Sequence, residues 1–327
     1  KGIDVAGNEE GGIINIDVNQ SNLQVAESGN LVNIGAVGGT TNVDINQNVE
    51  LVGTGNLVNV GEITGTTNVN INKDINVATE GTGNIVKVAS DLGVGGVLNI
   101  NLNVEGNTGL NVKENKTALA LSGIKNDNTT SVKNTGTVTI EGKGTLLAGS
   151  DKTISLSNQG LIDLKVVNSG NTEDNNKENN SVISTGEKVN VANYGTIKLE
   201  ISSTGFLDKY NDGKREEQKV TDLKDLTIEQ VRATLVELGI IKSNSEGTFT
   251  SLGNIEFAGG AVYTTGEELT SNVEVGGLIT TLEKSESRAF KIIGDKNIEL
   301  TAKNDDVELE NVQFNIEKGK LEIKGAT

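Results

Sequence analysis

Through the first hundred residues, apolar positions alternate with Asn, Asp and Thr in runs of four to six bounded by Gly and Asn. Val43-Asp44-Ile45-Asn46 and Leu31-Val32-Asn33-Ile34 are typical. Alternation of period two predicts strands with one buried face. A helix would turn Val43 and Ile45 roughly 200° apart, onto different faces. The pattern also recurs at a fixed distance. Gly29-Asn30-Leu31-Val32-Asn33-Ile34-Gly35 returns as Gly55-Asn56-Leu57-Val58-Asn59-Val60-Gly61, and starts again at Gly83-Asn84-Ile85-Val86-Lys87-Val88. Gly39-Thr40-Thr41-Asn42-Val43-Asp44-Ile45-Asn46 likewise becomes Gly65-Thr66-Thr67-Asn68-Val69-Asn70-Ile71-Asn72, 26 positions on. A fixed period of this size signals stacked repeats.

Two or three strands per unit, with no helix, predict one coil of a β-solenoid. Each strand pairs in parallel with its equivalent one coil away. Ile16, Val43 and Val69 then stack in the core. Asp17, Asp44 and Asn70 form one outward column and Asn19, Asn46 and Asn72 another, where stacked amides hydrogen-bond from coil to coil. The expected class is all-β, a parallel β-helix (right-handed β-solenoid) with a helix-containing excursion.

A second phrasing follows residue 103. Asn134-Thr135-Gly136-Thr137-Val138-Thr139-Ile140 returns at Asn158-Gln159-Gly160-Leu161-Ile162-Asp163-Leu164 and at Asn193-Tyr194-Gly195-Thr196-Ile197-Lys198-Leu199. The second step is longer by about the length of the polar run 171–180, which is expected to leave the coil as a surface loop. Every aromatic lies at or after Tyr194, and so do the three arginines. Between 206 and 247 the alternation is lost. Thr227 with Gln230 has capping-box spacing, Ile228, Val231, Leu235 and Leu238 share a helical face, and Gly239 occupies a C′ position. Three regions are therefore expected: coils with ~26-residue repeats at 1–205, a helical excursion at 206–247, and continuing coils at 248–327. About eleven coils would make a shaft roughly 50 Å long.

Composition narrows the chemistry. The chain of 327 residues has no His, Cys, Met, Pro or Trp. Lacking Met, it is expected to be part of something longer. Proline-free strands suit parallel pairing, because each interior N–H serves the next coil. A Ser-His-Asp triad, a Cys-His pair and an imidazole or thiolate metal site are all excluded by residue type. No phosphate-binding loop is present, and the net charge of −17 disfavours nucleic acid and anionic membranes. The Asp column lacks the glycine-rich calcium repeat, so no metal or cofactor is expected. A β-helical polysaccharide hydrolase or lyase needs paired carboxylates. The clusters present are Glu173 with Asp174 and Asp305 with Asp306, the latter beside a turn signal.

Binding has more support than catalysis, because solenoids place recognition surfaces on excursions. Phe206, Tyr210, Lys214 and Arg215 bring aromatic and basic groups to the base of the longest one, with Asp174 and Asn175 on the polar loop as a second candidate. The plainer alternative makes Phe206 and Tyr210 the core beneath the helix.

The N-x-G-T-[VI]-x-[IL] phrase at Asn134 and Asn193, with the Gly/Asn/Thr-rich strands of 29–71, resembles the passenger domains of type V autotransporters. The Lys/Asn/Ile-rich, Arg-poor composition is similar to that of the very large adhesins of AT-rich anaerobic oral bacteria. The resemblance covers most of the chain outside about 206–247. It implies a monomeric, secreted, extracellular shaft at the bacterial surface, anchored in the outer membrane by a β-barrel outside this sequence. It also implies a virulence role in cell adhesion, with a host-cell protein, a host glycan or a partner bacterium as ligand. The serine-protease branch is excluded by its missing Gly-Asp-Ser-Gly motif and histidine. The Ser-Val-Ala-Ile-Gly-type repeat of trimeric autotransporter heads is missing as well. The alternative roles are a spacer that displays a distal binding head and the polysaccharide hydrolase or lyase.

Overall fold

Side chains at equivalent positions of successive repeats lie directly over one another, and the whole architecture follows from that. The computed structural model describes residues 2–264 apart from 78–80, 89–93, 106–108, 125–126, 150–151, 170–176, 243–246 and 252. Beyond 264 it describes the strand backbones Leu269–Val273, Leu278–Thr280, Phe290–Gly294, Ile298–Ala302, Val312–Ile316 and Leu321–Lys324. The chain is an all-β parallel β-helix of right-handed type. It visits three sheets in turn and returns to the first one strand-spacing further on. The first sheet has seven strands, Ile3–Asn8 to Val182–Ser184. The second has eight, Ile13–Val18 to Phe249–Ser251, and the third nine, beginning at Leu23–Val25. The eight all-parallel strands of the second sheet span about 34 Å along the stack. This is short of the about eleven coils and roughly 50 Å expected, because the strands described beyond Thr264 do not join these three sheets.

The expected columns are present. Ile16 pairs with Val43, Val43 with Val69, and Val69 with Ile100. Val43, Val69 and Ile100 are fully buried. Outside them, the Asn42 amide donates to Oδ1 of Asn15 at 2.8 Å, Asn68 to Asn42 at 2.7 Å and Asn99 to Asn68 at 2.8 Å. Asn46, Asn72 and Asn103 repeat this over Asn19 at 3.2, 2.8 and 3.0 Å. Asn70 donates to Asp44 at 2.7 Å, and Asn101 to Asn70 at the same distance.

The N-x-G phrase makes a ladder of another kind. Asn134, Asn158 and Asn193 face inward and are 0% exposed. Each gives one amide hydrogen to the next coil, to Asn158, Asn193 and Ser251 at 2.8, 2.8 and 3.1 Å. The other goes to the backbone carbonyls of Leu161, Thr196 and Asn254. The glycine of the phrase is there because backbone stacks on backbone. A Cβ on Gly160 would lie 2.0 Å from the Gly136 carbonyl oxygen, and one on Gly195 2.1 Å from that of Gly160.

In the region 248–327, Phe249–Ser251 and Asn254–Ala258 extend the second and third sheets in parallel. Val262–Thr264 then folds back antiparallel on Asn254–Ala258. The later strands pair among themselves in a four-stranded sheet of mixed direction and a parallel pair. The acidic pair Asp305-Asp306 lies outside the described residues.

Two outcomes follow from the packing. Asn158→Ala strands one hydrogen of the buried Asn134 amide and the side-chain Oδ1 of Asn193, and is expected to cost about 2–4 kcal/mol in urea denaturation. Thr41 and Thr67 are fully buried, and their hydroxyls have no partner among the described residues. Thr67→Val keeps the shape and removes the orphan, so the melting temperature should rise rather than fall.

Candidate partner-binding site

The two longest insertions share one corner of the coil. Connections from the third sheet back to the first are short turns in the early coils. Between Leu161–Leu164 and Val182–Ser184 the same corner carries the polar insertion, and after Thr196–Ser202 it carries the helical excursion. The two interruptions therefore occupy consecutive coils. Asn180 ties them together, its amide donating to the Leu238 carbonyl at 2.8 Å and its Oδ1 accepting from the Asn168 N–H at 2.7 Å. The excursion returns to the shaft at Ile241, which bridges Ser184 in parallel as a one-residue continuation of the first sheet.

Two α-helices build the excursion, α1 at Ser203–Asn211 and α2 at Ile228–Glu237. The sequence announced α2. Thr227 Oγ1 accepts from the Gln230 N–H, Gln230 Oε1 accepts from the Thr227 N–H at 2.7 Å, and Gly239 takes φ +74°. Helix α1 went unread. It starts within the alternating strand, where the Ser202 hydroxyl caps it by accepting from the Gly205 N–H at 3.0 Å. Its opening Ser-Thr-Gly is poor helix sequence, and its only fully buried side chain is Phe206.

The candidate residues divide. Phe206 is 0% exposed and meets the Phe257 ring edge-on at 5.1 Å. It is core beneath the helices and offers no surface to a partner. Tyr210 is half-buried, and its hydroxyl accepts from the Gln230 side-chain amide, which locks α1 to the cap of α2. The Lys214 ammonium stands 2.9 Å from the centre of the Tyr210 ring and also donates to the Tyr210 carbonyl. Arg215 is exposed on the next turn, and its backbone N–H donates to Gln218 Oε1. Asp174 and Asn175, with Glu173, lie outside the described residues.

Tyr210 and Lys214 form one wall of a cleft of about 300 Å³, with Glu229, Gln230, Ala233 and Glu237 of α2 opposite. The α2 wall was not anticipated, although Glu229, Ala233 and Glu237 follow one another at the four-residue spacing of a single helix face. A second hollow of about 340 Å³ lies by the first turns of α1, between Leu207, Asp222 and Tyr263. There the Asp222 carboxylate accepts from the Lys224 N–H at 3.1 Å, which holds its pKa below the ordinary value. Among the described residues no group of three or more acidic side chains is placed to hold a metal ion. No helix described is long and apolar enough to cross a membrane. Compared with protein-family models, curated proteins and solved structures, the chain matches none.

Gln230 serves the cap and the tyrosine at once. Gln230→Ala should cost about 1 kcal/mol and speed hydrogen exchange along 228–237, while amides of the Val97–Leu102 strand keep their protection.

Proposed function

We propose that this chain is a segment of a bacterial cell-surface adhesin of autotransporter type. It attaches to a host-cell protein or glycan, or to another bacterium, and catalyses no reaction. An outer-membrane β-barrel would anchor it. One observation carries the reading. The polar insertion and the helical excursion fall at the same corner of consecutive coils and are joined there by Asn180. A shaft whose described outward Asn columns hydrogen-bond to themselves thus bears, at this corner, a surface that stacking does not explain. Rigid scaffolds bearing loops are where recognition concentrates. The repeat grammar, the lack of Cys and the acidic balance agree with display outside the cell.

The spacer reading has its own support. The described outward columns of the second sheet hydrogen-bond to themselves, which suits a stalk for a binding head elsewhere.

Adhesion of the isolated chain to epithelial cells and to partner bacteria separates these roles. Replacing residues 203–239 with a short Gly-containing turn should lower binding at least tenfold and leave the β-rich circular dichroism in place. Adhesion unchanged by the replacement would move the site off this corner. No adhesion at micromolar protein would favour the spacer, and release of reducing or unsaturated sugar ends would favour the enzyme.

A further inference from the structure

The cleft between α1 and α2 shows what it can hold, because the protein fills part of it. The Lys214 ammonium lies over the face of Tyr210, where the ring's negative quadrupole attracts a cation. Among the described residues its contacts are the ring and the carbonyl of Tyr210 itself. Lys214 follows Gly213, whose φ of +72° turns the chain sharply back toward α1. The ring is held independently, by its hydroxyl against Gln230, so it stays in place when the ammonium leaves.

Across the cleft, α2 sets two exposed carboxylates, Glu229 and Glu237, one turn to either side of exposed Ala233. Both already have partners, Glu237 lying within 4.0 Å of the Lys209 ammonium. The small side chain of Ala233 leaves the middle of the wall open, and a volume of about 300 Å³ admits a four-methylene stem. An aromatic face, two carboxylates and a narrow apolar floor are the chemistry that recognises a primary ammonium on an alkyl chain.

We propose that the Tyr210 ring is an ammonium seat, occupied at rest by Lys214 and taken over on docking by a lysine side chain of a protein partner. This rests on the attachment reading for its choice of partner. A neutral sugar needs the same ring face bared, but it brings no positive charge for the ring and the two carboxylates to attract. Lys214 acts as a built-in competitor, so removing it strengthens binding.

The experiment uses the full chain with ¹³C-methyl alanine, read at Ala233 inside the cleft, with buried Ala118 as the control for fold. The probe is Nα-acetyl-lysine methylamide. With Lys214→Ala the Ala233 methyl should shift saturably at millimolar probe, roughly tenfold tighter than in the wild type. Adding Tyr210→Leu should abolish the shift, and Tyr210→Phe, which keeps the ring face but loses the hydroxyl's hold on Gln230, should retain a saturable shift at weaker affinity. The proposal is overturned if Lys214→Ala gives no saturable shift up to about 100 mM probe. It is also overturned if the Nζ-acetylated probe or methyl glucoside shifts Ala233 equally well. Probe binding without cell adhesion would refute the attachment reading and leave the seat standing, whereas adhesion without probe binding would do the reverse.

Discussion

Parallel strands stacked in register place each residue over its own equivalent one coil away, about 4.8 Å distant. Every position must therefore tolerate a copy of itself as a neighbour. Inside the coil, Val and Ile do so by packing, as in the column Val43, Val69, Ile100. Outside, Asn does so best, since an amide both donates and accepts and can continue a chain of hydrogen bonds without limit. Where the backbone itself turns over backbone, as along Gly136, Gly160 and Gly195, only the residue without a Cβ survives. Charges follow the rule in part. Asp163, Lys198 and Glu256 alternate in sign along the third sheet, whereas Asp17 lies directly against Asp44 and asparagine takes over only from Asn70 onward.

This constraint made the shaft legible from residues alone. A 26-position repeat with period-two alternation names the sheets, the core column and the outward ladders together. The inward ladder of Asn134, Asn158 and Asn193 was legible in principle too. Asn134 shares the parity of buried Thr130 and Val132, and Asn193 that of buried Val189 and Val191, whereas Asn46 shares the parity of outward Asp44. Parity outranks the polarity of the side chain, and the N-x-G phrase marks a corner where an inward amide serves backbone carbonyls. Past Tyr263 the described strands pair partly antiparallel, a change that alternation cannot announce because it is the same for either direction.

The excursion was half legible. Helix α2 carries its own cap, so local chemistry declares it. Helix α1 is nine residues long and opens with Ser-Thr-Gly, and it is held by Phe206 packing on Phe257 and by the tyrosine clamp. A helix that owes its existence to tertiary contacts leaves little trace in sequence. The same contacts decide the fate of the candidate residues. An aromatic at the base of an insertion serves either the core or a partner, and Phe206 serves the core while Tyr210 keeps one face turned to the cleft.

The most direct measurement of the central claim is the distance between nitroxide labels at Asn15 and Ser131, which are far apart in sequence and four strand-spacings apart in one outward column. In-register parallel stacking predicts a single narrow distribution near 19 Å, broadened only by the label linkers. A broad distribution, or a maximum beyond about 30 Å, would contradict the stacked coil and everything built on it.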